Sequence, residues 1–215
     1  MKAESIAIAL RIGSAPDPAF FVAWTKLIMH GLRKGDVMLQ PAIGMPHACA
    51  CNWLVSAFMG TACDAILFVD DDMVFDVDSL ERLRSTDSQH GILSALYTTR
   101  RPPVRPIALV RDGERIRPIK PDLCAGIIDC DVVGLGFTFI SRDVIESAAK
   151  ARGPDGVFYW DNALGEDGAF CLAAQKDGFR VGVNCDVVVG HRVTYTSRWN
   201  RAENAVEMDF EGIST

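Results

Sequence analysis

Three consecutive carboxylates, Asp70-Asp71-Asp72, follow the apolar run Ala65-Ile66-Leu67-Phe68-Val69. A short apolar run of β-formers reads as a buried strand, and burial on both faces suits a parallel sheet. The acids then stand just past its carboxyl end, where open α/β sheets bind ligands. Adjacent carboxylates repel, so a chain that gathers three has a cation to hold. A hard divalent ion with oxygen ligands is the natural one. In extended chain Asp70 and Asp72 point the same way, so both can reach one ion. Such an ion could bridge the two phosphates of a nucleotide diphosphate and stabilise it as a leaving group. The alternative is an acidic turn that caps the next helix.

Other residues of chemical interest lie downstream. Glu166 and Asp167, between Gly165 and Gly168, open a helical stretch. Acids there suit the helix dipole, or one serves as a general base toward an attacking hydroxyl. Asp167 is the stronger candidate, with Glu166 bracing the loop or contacting the acceptor. His191 ends an apolar strand and can add a nitrogen ligand to an ion on Asp72. That mixed set accepts Mn2+ as well as Mg2+; the alternative is a structural or exposed histidine. Gly134 and Gly136 lack the spacing of a dinucleotide fingerprint. They read as a turn, or as backbone open to the approach of a sugar or acceptor. Phe158, Tyr159 and Trp160 form either a stacking platform or loop packing. Arg100, Arg101 and Arg105 read as a solvated loop, whereas Arg192, Arg198 and Arg201 could fold over a diphosphate.

These residues need elements to position them. Ser5 to Arg11 is a first strand, and Asp17-Pro18 starts a helix that runs to about Gly35. Asp36 to Ile43 is a strand, His47 to Met59 a helix, Asp76 to Leu83 a helix, and His90 to Tyr97 a strand. This β-α alternation predicts a parallel sheet covered by helices. After Thr99 the pattern changes. Asp112-Gly113 marks a hairpin between Ile107–Arg111 and Arg115–Lys120. Strands at Ile127–Val133 and Phe137–Ile140 follow, then helices at Arg142–Ala151 and Glu166–Lys176, and a strand at Phe179–Val189. A polar tail begins at Arg192.

The totals set bounds. A length of 215 residues suits one domain with a sizeable core. The expected parts are a nucleotide-binding half at 1–99, an acceptor half at 100–191 and a tail at 192–215. A net charge of -6 argues against nucleic acid held by bulk charge. Seven cysteines without a CxxC pair point to buried thiols of a cytoplasmic protein rather than a zinc or disulfide framework. Met1-Lys2-Ala3-Glu4 does not read as a signal peptide. The most apolar window, Ala48 to Val69, is broken by polar residues, so no membrane span is expected.

Taken in order, these motifs resemble the GT-A nucleotide-sugar glycosyltransferases, nearest the family-2-like group. The resemblance rests on Cys51-Asn52-Trp53-Leu54-Val55 ahead of the Asp70–Asp72 strand, on Gly134-Leu135-Gly136-Phe137, on Gly165-Glu166-Asp167 and on His191. It implies an α/β, Rossmann-like mixed sheet with a parallel N-terminal half, flanked by helices. It further implies transfer of a sugar from a UDP- or GDP-sugar to a hydroxyl on a glycan, lipid or protein. Asp70, Asp72 and His191 would hold Mn2+ or Mg2+, and Asp70, Asp71 and Arg11 would meet the nucleotide. Asp167 and Glu166 would serve catalysis, and Gly134, Gly136, Tyr159 and Trp160 the acceptor. Arg11-Ile12-Gly13 stands where the family more usually carries an acid. Other readings are a non-catalytic nucleotide- or glycan-binding module, a sugar-phosphate nucleotidyltransferase, and a haloacid-dehalogenase-type phosphatase. The last two fit less well: the first needs a glycine-rich basic N-terminal loop, and the second a DxD near the N-terminus.

Overall fold

The computed structural model describes residues 3–13, 15–86, 88–100, 102–113, 115–120, 125–193, 195–200 and 205–210. Arg101, Cys124 and Arg201 lie outside the described residues, as does the Arg198 side chain. The chain begins with strand β1 (Ile6–Ile12), buried along all but its last residue. Helix α1 (Pro18–Lys26) follows; the Asp17 carboxylate accepts the Ala19 N–H at 2.7 Å and proline takes the first turn. A π-helical turn, Leu27–Gly31, ends this helix short of Gly35, because Leu32 is already extended. The strand expected over 36–43 is split into β2 (Val37–Met38) and β3 (Ala42–Ile43). Pro41 lies between them and has no N–H to give a ladder. Helix α2 (His47–Met59) has the expected bounds.

Next come β4 (Ala65–Asp70), β5 (Met73–Val74), α3 (Ser79–Arg84), β6 (Ile92–Leu96), β7 (Ala108–Asp112) and β8 (Arg115–Pro118). They are followed by β9 (Ile127–Cys130), β10 (Val132–Val133), β11 (Phe137–Ser141), α4 (Arg142–Arg152) and α5 (Gly165–Lys176). The last strands are β12 (Val181–Val188), β13 (Gly190–His191), β14 (Tyr195–Asn200) and β15 (Ala205–Phe210). The expected polar tail thus holds an antiparallel strand pair, β14 with β15.

The main sheet has the order β2-β1-β4-β11-β6-β12-β9, with β3 also on β1. Strands β1 to β4 run parallel, as do β6 and β12. The sequence alternation predicted a parallel sheet through β4 and β6. Instead β11 lies between them, antiparallel to both. The consequence is local: the chain just before β11 lies beside Asp70, whose N–H donates to the Gly136 carbonyl at 3.0 Å.

Both faces of the sheet are covered. Ile66 and Phe68 of β4 join one core with Leu54 and Phe58 of α2, Ile145 of α4 and Phe170 of α5. Ala65, Leu67 and Val69 join the other with Phe20 and Trp24 of α1 and Leu80 of α3. Alternate residues of β4 serve opposite cores, which is why the whole run is apolar. Five of the six described cysteines are buried; Cys49 is exposed. Among the described residues no helix is long and apolar enough to cross a membrane.

One buried amide ties α2 to the loop ahead of α5. Asn52 Nδ2 donates to the carbonyls of Asp155 at 2.6 Å and Phe158 at 2.8 Å, and its Oδ1 accepts the Phe158 N–H at 2.8 Å. Phe158 can then stack on Phe170, with centroids 4.2 Å apart. Truncation leaves those backbone groups unpaired. Asn52→Ala is expected to cost about 2–3 kcal/mol, read as a lowered urea midpoint with an unchanged m-value.

Candidate active site

The acids and their partners meet at the carboxyl ends of β1 and β4, around a cleft of about 250 Å³. Gly13, Met45, His47, Asp70, Asp72 and Arg100 are among its walls. Arg11 and Asp70 are register partners on β1 and β4. Arg11 Nε donates to Asp70 Oδ1 at 2.7 Å, and Nη2 to Oδ2 at 3.0 Å. Its Nη1 lies 3.2 Å from Cys51 Sγ and 3.6 Å from Glu166 Oε1. Arg11 is only 7% exposed. Burial by itself would lower the guanidinium pKa, but Asp70, together with Cys51 and Asp167, raises it well above the ordinary value, so Arg11 stays charged. Arg11 was expected to meet a nucleotide; its donors are instead committed inside the protein.

Asp71 was also expected at the nucleotide. Its Oδ2 accepts the Gly13 N–H at 2.8 Å, and its carbonyl accepts the Asp17 N–H at 3.1 Å. It therefore pins the β1–α1 loop to the floor of the cleft. Burial first, then Asp72 and Asp70, raise its pKa, against the Gly13 hydrogen bond.

Asp72 is arranged differently. Its Oδ2 lies 3.2 Å from His191 Nε2 and 3.0 Å from Arg100 Nη1, while its buried Oδ1 has no partner. Burial alone would raise this carboxyl; the His191 hydrogen bond and the charges of His191 and Arg100 hold it below the usual value. β13 pairs with β5, setting His191 opposite Met73, one residue beyond Asp72. His191 Nδ1 donates to the Thr98 carbonyl at 2.7 Å. That bond leaves Nε2 facing Asp72, itself a wall of the cleft, and fixing one ring nitrogen on a carbonyl is the arrangement that orients a metal-binding imidazole. Arg100, expected as part of a solvated loop, is in fact a wall of the site.

Three ligands were expected for a divalent ion: Asp70, Asp72 and His191. Among the described residues no group of three histidines, cysteines or carboxylates is gathered closely enough to hold one. Asp70 is the member that falls away, since Arg11 takes both its oxygens. Asp72 and His191 do fit an ion. Asp72 Oδ1 is buried without a partner, while the other oxygen, Oδ2, lies 3.2 Å from His191 Nε2; a carboxylate with an imidazole is a donor type suited to Mn2+ or Mg2+.

Helix α5 brings the second pair of acids. Glu166 is buried and lies 3.6 Å from Arg11 and 3.5 Å from His47 Nδ1, so it braces the inner wall. Asp167 Oδ2 accepts the Leu135 N–H at 3.2 Å, and its buried Oδ1 has no partner. Burial, offset by Arg11 but reinforced by Glu166 and Asp70, pushes its carboxyl up to about 7.

The expected acceptor residues divide. A side chain at Gly134 would begin 2.3 Å from the Tyr97 hydroxyl, and one at Gly136 would begin 3.1 Å from it. The space at these glycines is filled by Tyr97, whose oxygen accepts the Gly136 N–H at 2.8 Å. They are packing glycines rather than a surface open to acceptor. Tyr159 sits under Arg152, with the guanidinium carbon 5.7 Å from the ring centroid. Trp160 is 63% exposed and lies against Gly165 at the start of α5. Arg192 pairs with Asp17 at 3.3 Å. Sequence reasoning passed over Tyr97, His47 and the position of Arg100. Only Arg100 carried a signal: it is a cation just beyond the carboxyl end of a parallel strand.

Two solved structures share this architecture. A197 from STIV superposes with a TM-score of 0.59 at 16% identity, covering 100% of this chain and 97% of that one. GalNAc-T7, solved with UDP, GalNAc and Mn2+, gives a TM-score of 0.59 at 10% identity. That match covers 87% of this chain and 43% of GalNAc-T7. No protein-family model and no curated protein matches the sequence. At these identities the likeness is one of fold, and the fold is the GT-A-like, glycosyltransferase-like one.

The raised carboxyl of Asp167 has a consequence for stability. Between the unfolded aspartate value, about 3.9, and about 7, the folded chain binds more protons than the unfolded one. Stability attributable to Asp167 therefore falls as pH rises through that window. Asp167→Asn keeps an acceptor for Leu135 and removes the buried charge. Its melting temperature relative to wild type is expected to rise from pH 5 to pH 8, as followed by thermal unfolding.

Proposed function

We propose that the chain is a metal-dependent glycosyltransferase. It would move a sugar from a nucleotide-diphosphate sugar to a hydroxyl acceptor. The observation that carries this reading is the Asp72–His191 pair: Asp72 lines the cleft and keeps a buried oxygen without a partner, and its other oxygen meets an imidazole oriented by Thr98. The UDP, GalNAc and Mn2+ present with GalNAc-T7 support a UDP-sugar as the first donor to test.

Asp72 and His191 would hold the divalent ion, which when bound would supply positive charge toward the diphosphate. Arg11, which lines the cleft, and Glu166 keep Asp70 and the start of α5 in place. Asp167 is the general base. The acceptor oxygen bonds to the anomeric carbon as the bond to the diphosphate breaks, and the hydroxyl proton passes to the Asp167 carboxylate. A carboxyl near 7 suits that transfer at neutral pH, because half its population is ionised there and its proton affinity is high. Trp160 offers an exposed ring beside α5 for an acceptor sugar to stack on.

A non-catalytic nucleotide-binding module is a second reading. It draws on Arg11 and Arg100, which already neutralise Asp70 and Asp72 without an ion. Calorimetry with UDP, with and without Mn2+, beside a turnover assay over a panel of UDP- and GDP-sugars, separates the two. Wild type is expected to bind UDP only with Mn2+ present, and Asp72→Ala to weaken that binding at least about 10-fold. Asp167→Asn should keep the binding and lose about 10²–10⁴-fold in turnover. Binding that is indifferent to Mn2+ and to Asp72 would sink the metal assignment. Binding without turnover for any donor would favour the module.

A further inference from the structure

Among the described residues Arg100 is the exposed cation on Asp72, and its position is not incidental. The loop it belongs to is closed at its base by the Thr99 N–H, donating to the Arg105 carbonyl at 2.8 Å. The Arg105 N–H returns to Thr99 Oγ1 at 3.1 Å, and Thr98 bridges Pro106. Thr98 also orients His191 through its carbonyl. One anchor therefore sets both groups that meet Asp72 Oδ2, His191 at 3.2 Å and Arg100 at 3.0 Å. The two differ in freedom. The His191 side chain is 10% exposed and held at both nitrogens; that of Arg100 is 56% exposed and, among the described residues, meets Asp72 at the end of a long flexible stem.

An ion arriving at Asp72 and His191 takes the charge that Arg100 now neutralises. The guanidinium is then a free fork of donors at the wall of the cleft, shaped for phosphate oxygens. The charges also balance. A nucleoside diphosphate leaves with about three negative charges. A divalent ion offsets two of them, and one more cation closes the sum.

Resting on the function proposed above, we infer that Arg100 is an exchangeable counter-ion. It holds Asp72 in the empty cleft and moves to the diphosphate when metal and nucleotide bind. Arg100 is thus a substrate-gripping residue as well as a competitor of the metal. The inference demands two effects of opposite sign from one substitution, which neither a solvated loop residue nor a structural one would give.

The test uses the full chain, with Arg100→Gln and Arg100→Lys, in calorimetric titrations. Mn2+ is titrated first without nucleotide; then UDP, and separately uridine, in saturating Mn2+. Arg100→Gln is expected to bind Mn2+ about 3- to 10-fold tighter, because its competitor is gone. It should bind UDP about 10-fold or more weaker, with uridine unaffected. Arg100→Lys keeps the charge but loses the fork, and should fall between wild type and Gln on both measures. Unchanged Mn2+ and UDP affinities in Arg100→Gln, or a shift of both in the same direction, would overturn the role of Arg100. If wild type itself binds neither Mn2+ nor UDP, the parent function fails and takes this inference with it, an outcome distinct from the first.

Discussion

The constraint on which the rest depends is the buried pair of Arg11 and Asp70. Two carboxylate bonds to one guanidinium join the last ladder position of β1 to the end of β4. Removing such charges from water is costly, and leaving either one unpaired costs several kcal/mol. The pair therefore resists any slip of β1 against β4, and a one-residue slip would exchange the two cores that β4 serves. The same guanidinium reaches Cys51 on α2 and Glu166 on α5. Four elements are thus referred to one cation.

That arrangement sorts the acidic triplet. Asp70 faces inward to Arg11, Asp71 holds the Gly13 turn, and Asp72 is left toward His191 and Arg100. Three chemically identical side chains acquire three environments within one turn of chain. Asp167 follows from the same centre, because a carboxyl buried near Glu166 and Asp70 is held protonated to higher pH although Arg11 opposes it. One carboxylate, Asp72, is thus held below its ordinary pKa while another, Asp167, is raised to about 7, so two acids of one centre are pushed in opposite directions by their surroundings.

Much of the fold was legible because local chemistry announced it. The Asp17-Pro18 cap, the bounds of α2 and the turn at Asp112-Gly113 are all set by residues close in sequence. The apolar run of β4 identified a strand buried on both faces, and its acids marked the ligand end of the sheet. The placement of β11 was not legible. Its pairing partners lie 44 to 76 residues upstream, and a β-α alternation has no term for a later strand entering between two earlier ones. The glycines before β11 were misread for the same reason, since Tyr97 comes against them only once β11 lies beside β6.

The short strands β5 and β13 and the pair β14–β15 aside, the sequence by itself located the helices and most strands of the main sheet, the apolar layers and the candidates Asp70, Asp72, Asp167 and His191. Those follow from periodicity, capping and carboxylate spacing, which act over a few residues. Only the tertiary structure decided which carboxylate meets which cation. Arg11 and Asp70 are 59 positions apart, and Asp72 and His191 are 119 apart. A pairing over such distances is selected by strand register and burial, through the cost of leaving a charge unpaired away from water. Neither register nor burial is a property of any short stretch of chain.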